Sequence, residues 1–210
     1  MKATSAATLV ALLVTGALLA ACDNDGGENP FEPPGTAVGP TTPAQPDGST
    51  TPRVESPLDP ATFLDRPCDL LPEDWATSEG FEPGKPNPGA PSGPSCVWNT
   101  PVGSMTDEGT LHVIIETVNQ KRGQATLPAI QKHALGQGGY FEPTTVAGYS
   151  AAFYDTQDRR AKGDTWLSVA IRDDLVLSIT TSSYYDDPAR AGTEALAAAE
   201  QMINTLKGAQ

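Results

Sequence analysis

Hydrophobic residues recur along this chain at two spacings, every second position in some stretches and every third or fourth in others, and the pattern starts only at Leu58. Pro72 stands where a first helical turn tolerates a missing N–H, and Gly80 where a helix stops. Leu71 to Glu79 is therefore expected as a short helix carrying Trp75. Ser95 to Asn99 reads as a strand with Cys96 and Trp98 on one face, and Leu111 to Val118 as a β-branched strand covered on both faces. Leu127, Ile130, Ala134 and Leu135 fall at helical spacing, and Gly136 with Gly138 and Gly139 ends that helix.

The second half repeats the alternation. Ala151 to Asp155 is expected as a strand, and Trp166 to Ile171 with Leu175 to Thr181 as a hairpin turning at Arg172-Asp173-Asp174. Asp187 and Pro188 supply an N-cap and a first-turn proline for the last helix. Its Leu196, Ala199, Met202, Ile203 and Leu206 share one face. The order α-β-β-α-β-β-β-α predicts an α+β fold, an antiparallel β-sheet packed against helices, over residues 58–210.

Before Leu58 the pattern is different in kind. Ala6 to Ala21 is a charge-free run of 16 residues behind Lys2. That is shorter than the roughly 20 residues a bilayer-spanning helix needs, and it ends in small residues. Leu19-Ala20-Ala21-Cys22 follows the lipobox order of aliphatic, small, small, cysteine, so residues 1–21 are expected as a lipoprotein signal peptide and Cys22 as the lipidated residue. Two or three acyl chains on Cys22 would exceed the reversible attachment that one chain gives. The expected location is the extracytoplasmic face of the cell membrane, in the cell envelope. Asp23 to Pro57 holds eight prolines and five glycines in 35 residues, with few apolar groups to offset the entropy of ordering. Residues 22–57 are thus expected as a disordered tether reaching between about 30 Å as a coil and roughly 110 Å extended.

Charge and cysteines narrow the classes. The chain carries a formal charge of −13, which argues against nucleic acid as a partner. Cys68 and Cys96 are the only cysteines after Cys22, and in an exported domain two cysteines most simply pair. The intervening Gly80 to Ser95, with five prolines and four glycines, reads as a loop that this disulfide would close. A metal or redox pair would call for C-x-x-C spacing or a nearby histidine, and neither is present.

Pro67-Cys68-Asp69-Leu70-Leu71-Pro72, then Ser95-Cys96-Val97-Trp98, then Val146-Ala147-Gly148-Tyr149-Ser150-Ala151 and an alanine-rich C-terminal helix form a set. With the lipobox and tether, this set resembles the domain-of-unknown-function 3558 family of actinobacterial lipoproteins. The resemblance implies an exported, envelope-attached domain without an established activity. The long Pro/Gly insert before Cys96 departs from the family's pattern, as does the lack of Ser or Thr ahead of Pro72.

The chain has no H-E-x-x-H, G-x-S-x-G, S-x-x-K or G-x-x-x-x-G-K. His112 falls in a strand and His133 in a helix, both expected as structural or surface residues. Asp155, Asp158 and Asp164 share one loop with Arg159, Arg160 and Lys162, so solvated and neutralised loop charge is expected there rather than a cation site. No catalytic residue, metal or cofactor is expected. Two aromatic pairs beside turns, Tyr140-Phe141 and Tyr184-Tyr185, are the candidate binding surface, since aromatics supply contact area with few rotatable bonds. The function expected is therefore a membrane-anchored lipoprotein with a non-catalytic binding domain for an envelope protein, glycan or lipid. A sensor or accessory subunit of an envelope complex is the alternative, with a hydrolase ranked below both.

Overall fold

The runs expected as strands pair into a seven-stranded sheet in which every neighbouring pair is antiparallel. The computed structural model describes residues 53–101 and 109–210. The signal, Cys22 and the tether as far as residue 52 lie outside the described residues. In chain order the elements are α1 (Glu73–Ser78), β1 (Lys85–Asn87), β2 (Ser95–Asn99), β3 (Thr110–Ile115), α2 (Thr117–Lys121), α3 (Leu127–Gly136), β4 (Tyr140–Val146), β5 (Tyr149–Asp155), β6 (Thr165–Arg172), β7 (Leu175–Ser182) and α4 (Pro188–Gly208). The strands lie in the order β1-β2-β3-β7-β6-β5-β4.

The α+β class and the antiparallel sheet are as the sequence predicts, and several details differ. Two strands are additional, β1 inside the Pro/Gly-rich insert and β4 across Glu142-Pro143-Thr144. Both are edge strands, the place where Pro86 and Pro143 cost no internal ladder bond. The β-branched run after Leu111 ends at Ile115, and Val118 belongs to the short helix α2 instead. Pro72 caps α1 from outside with extended ψ of 131°, so the helix starts at Glu73. At its other end Phe81 N–H donates to Ala76 O (2.9 Å) and Gly80 N–H to Thr77 O (3.0 Å), with Gly80 at φ +86°. That pairing is the Schellman close that a glycine permits.

Period-two alternation assigns the sheet's two faces. On one side Leu111, Val113 and Ile115 of β3 stand beside Thr181, Ile179 and Leu177 of β7, which stand beside Thr165, Leu167 and Val169 of β6. All nine are buried. α4 covers this side with Ala195, Ala198, Ala199, Met202, Ile203 and Leu206, and Thr181 Oγ1 donates to Ala191 O (2.8 Å). The small alanines let the helix axis come close. Full burial of Met202, Ile203 or Leu206 stabilises by ~1.5–3 kcal/mol each. α4 opens as expected, with the Asp187 carboxylate accepting from Arg190 N–H (3.3 Å) and Pro188 in the first turn.

The Cys68–Cys96 disulfide joins the 3-10 turn Pro67–Leu70 to β2 on the same side of the sheet, as expected, with Cα atoms 5.1 Å apart. The last residues assigned to the tether are tied to the domain. Val54 N–H donates to Asp173 Oδ1 (2.8 Å) and the Tyr149 hydroxyl to Ser56 O (2.8 Å), and at the first residue of the domain Leu58 N–H donates to Ile171 O (2.9 Å).

Candidate functional site

The opposite face of the sheet is only partly covered. α3 lies over β4 and β5 there and reaches β6, started by Thr126, whose hydroxyl accepts from Ala129 N–H (3.3 Å), with Pro128 in the first turn. Leu127 and Ala134 are its buried contacts and Ile130 is half-buried. Leu135, expected on the same face, is exposed. Beneath α2 and α3 lies a cavity of about 330 Å³, at the small end of ligand pockets. Its lining mixes Ala125, Ala129, Ile130 and Val176 with Glu116, Asn119, Gln124, His133, Tyr154 and Ser178.

Glu116, Asn119, Tyr154 and Ser178 of the lining form a connected row that Ser168 extends. Ser168 of β6 and Ser178 of β7 are direct cross-strand partners, both buried, with Oγ atoms 3.1 Å apart. Ser178 also hydrogen-bonds Glu116, and both serines hydrogen-bond the Tyr154 hydroxyl. Asn119 Nδ2 donates to Glu116 Oε2. Burial pushes the Glu116 carboxyl above the ordinary glutamate range, and the bonds from Ser178 and Asn119 pull it back. Burial likewise raises the Tyr154 phenol. Glu116 is 8% exposed, and among the described residues no ion pair reaches it. A desolvated carboxylate held by neutral donors alone is costly to keep in a fold, and such groups concentrate at functional sites.

The four aromatic candidates are not brought together. Tyr184 is 1% exposed, set under the start of α4. A Cβ at Gly163, itself at φ +76°, would fall 2.3 Å from the Tyr184 carbonyl oxygen. Tyr184 is thus a core residue, and it cannot serve as a contact. Its neighbour Tyr185 is 72% exposed. Tyr140 and Phe141 are half-buried on β4, where consecutive side chains point to opposite faces. The Arg160 guanidinium lies 4.0 Å from the centre of the Tyr140 ring, whose buried hydroxyl has no hydrogen-bond partner among the described residues and is pushed up to about 12, burial being the largest cause.

The remaining sequence candidates fall into structural roles. Asp155 pairs with Arg159 (3.0 Å) and Asp158 with Arg160 (2.7 Å), while Asp164 accepts from Ser183 N–H. Among the described residues no three acidic, histidine or cysteine side chains gather as metal ligands would. His112 is half-buried in a row with Val97, Thr180 and Trp166 on the open part of the face, and burial lowers its pKa. His133 stands exposed at the cavity mouth.

Sequence reasoning passed over Glu116, Ser168, Ser178 and Tyr154. A signal for the serines was present: each interrupts an apolar strand, and they lie equidistant from Asp173 at the hairpin tip.

A family described as "Protein of unknown function (DUF3558)" has a model that matches residues 17–205. The chain belongs to this family. No curated protein and no solved structure matches it. Membership agrees with the C-x-L-L and C-x-W elements around the disulfide, and the family's description assigns no chemistry to the cavity.

Proposed function

We propose that this protein is a lipid-anchored extracytoplasmic lipoprotein whose domain binds a small molecule without transforming it. The anchor is Cys22, on the strength of Leu19-Ala20-Ala21-Cys22. The observation that carries the binding role is the cavity under α2 and α3, where a buried polar row is set among apolar walls. A few fixed polar groups in an apolar hollow orient a ligand. In that row Ser178 hydrogen-bonds the Glu116 carboxylate and not an imidazole, an arrangement for holding rather than for nucleophilic attack.

Two experiments test this. Cys22→Ala should move the protein from the detergent phase to the aqueous phase of membrane extracts, and unchanged partitioning would refute the anchor. Ala129→Phe should fill the cavity from the α3 side. Native mass spectrometry of the wild-type protein from its own envelope should show a bound small molecule that this variant lacks at unaltered Tm. A bound species that persists in Ala129→Phe would place the ligand elsewhere.

A further inference from the structure

We infer that the cavity takes a small organic cation, an ammonium group on a short apolar stem, with the Glu116 carboxylate as its counter-charge. This rests on the cavity being the binding site. Glu116 lies in the wall, held by Asn119 Nδ2 and Ser178 and, among the described residues, by no cation. Among the described lining residues the only basic side chain is His133, exposed at the mouth, and no Lys or Arg is present, so an anionic ligand inside would face the buried negative charge of Glu116. The other polar residues of the lining include groups able to accept from an ammonium: the side-chain carbonyls of Asn119 and Gln124 and the hydroxyls of Tyr154 and Ser178. An ammonium has three donors and no acceptor, so it matches a wall rich in acceptors.

Ala125, Ala129, Ile130 and Val176 supply apolar contact for a stem of a few carbons, which is what about 330 Å³ admits. The chain's formal charge of −13 draws cations toward the domain. Glu116 is already out of water and fixed by its two donors before any ligand arrives. The carboxylate's desolvation is therefore a cost of folding rather than of binding, and a cation entering gains the full charge-assisted hydrogen bond.

The test uses three probes of matched stem: n-butylammonium, n-butanol and n-butyrate, each titrated into the isotope-labelled full chain in detergent and followed by NMR shifts of Ala125, Ala129 and Ile130. The ammonium should bind at least about tenfold more tightly than the alcohol, with butyrate weakest. Glu116→Gln should remove that preference. An alcohol or carboxylate that binds as well as the amine overturns the cation assignment and leaves the cavity reading intact. So does a Glu116→Gln variant, folded by its Tm, that keeps the amine preference. Binding of none of the probes also overturns the assignment, and the cavity reading then rests on its own Ala129→Phe test. Should Glu116→Gln fail to fold, the wild-type ranking of amine over alcohol decides the matter without a mutation.

Discussion

One residue apart on β7, Leu177 and Ile179 face α4 while Val176 and Ser178 face α3 and the cavity. Beside α4 the neighbours of Leu177 and Ile179 are Ile115, Val113, Val169 and Leu167, all at most 1% exposed. Beside α3 the neighbour of Ser178 is a second serine, and the strand on the far side contributes Ile114, which is half-buried. A long alanine-faced helix closes one face onto the sheet, whereas two short helices leave a hollow over the other. The apolar face gives the fold its stability, and the polar one gives up some of that stability to keep a carboxylate and three hydroxyls out of water.

The widest gap between the faces should appear on truncation. Leu177→Ala is expected to cost about 3–4 kcal/mol, because it leaves a cavity that the packed α4 cannot collapse into. Ser178→Ala, one position on, removes a hydroxyl bonded to a buried carboxylate and is expected to cost about 2 kcal/mol. Urea denaturation checks both, and equal losses would break the distinction. Next in size is the disulfide, which lies on the α4 side. Cys68→Ser opens a closure over 28 residues and should cost roughly 3.5 kcal/mol by the chain-entropy relation. Free thiols at both positions in the oxidised protein would contradict it.

A smaller effect sharpens the contrast through pH. Burial raises Glu116 above the ordinary value of 4.5, so the folded state holds this proton more tightly than the unfolded chain does. Stability should therefore fall as pH rises from 4.5 through the raised folded value. Glu116→Gln removes that contribution, so the variant should match or exceed wild type near neutrality and lose the advantage as the pH drops to 4.5. Urea midpoints across this range check the sign, and a variant that falls further below wild type as the pH rises would show the carboxylate to be stabilising. The smallest effect belongs to neither face. Ala147 sits at φ +49° beside Gly148 at φ +91° in the two-residue turn from Val146 to Tyr149. Ala147→Gly should raise stability by about half a kcal/mol, read as a small rise in Tm, because both central residues of such a turn require positive φ.

The sequence by itself determined the α+β class, the β6–β7 hairpin, the capped last helix and the Cys68–Cys96 pairing. The pairing follows from there being only two cysteines in the domain, whereas the hairpin and the capped helix are signalled within a few residues, by alternation for Trp166 to Ile171 and by Asp187 before Pro188. Local physics settles them, because caps, turns and period-two burial act over a turn of helix or one strand. The tertiary structure decided the edge strands and the cavity. Pro86 and Pro143 can stand in strands because a sheet edge absorbs their missing donors. Tyr184 and Tyr185 are the same residue type side by side, and only the packing of α4 makes one core and the other exposed. Glu116, between β3 and α2, and Tyr154, Ser168 and Ser178 of three strands are far apart in the chain, and no local pattern states that β3, β5, β6 and β7 lie next to one another in that register. A binding site assembled across strands is a property of pairing order, which depends on long-range contacts that single-residue preferences do not encode.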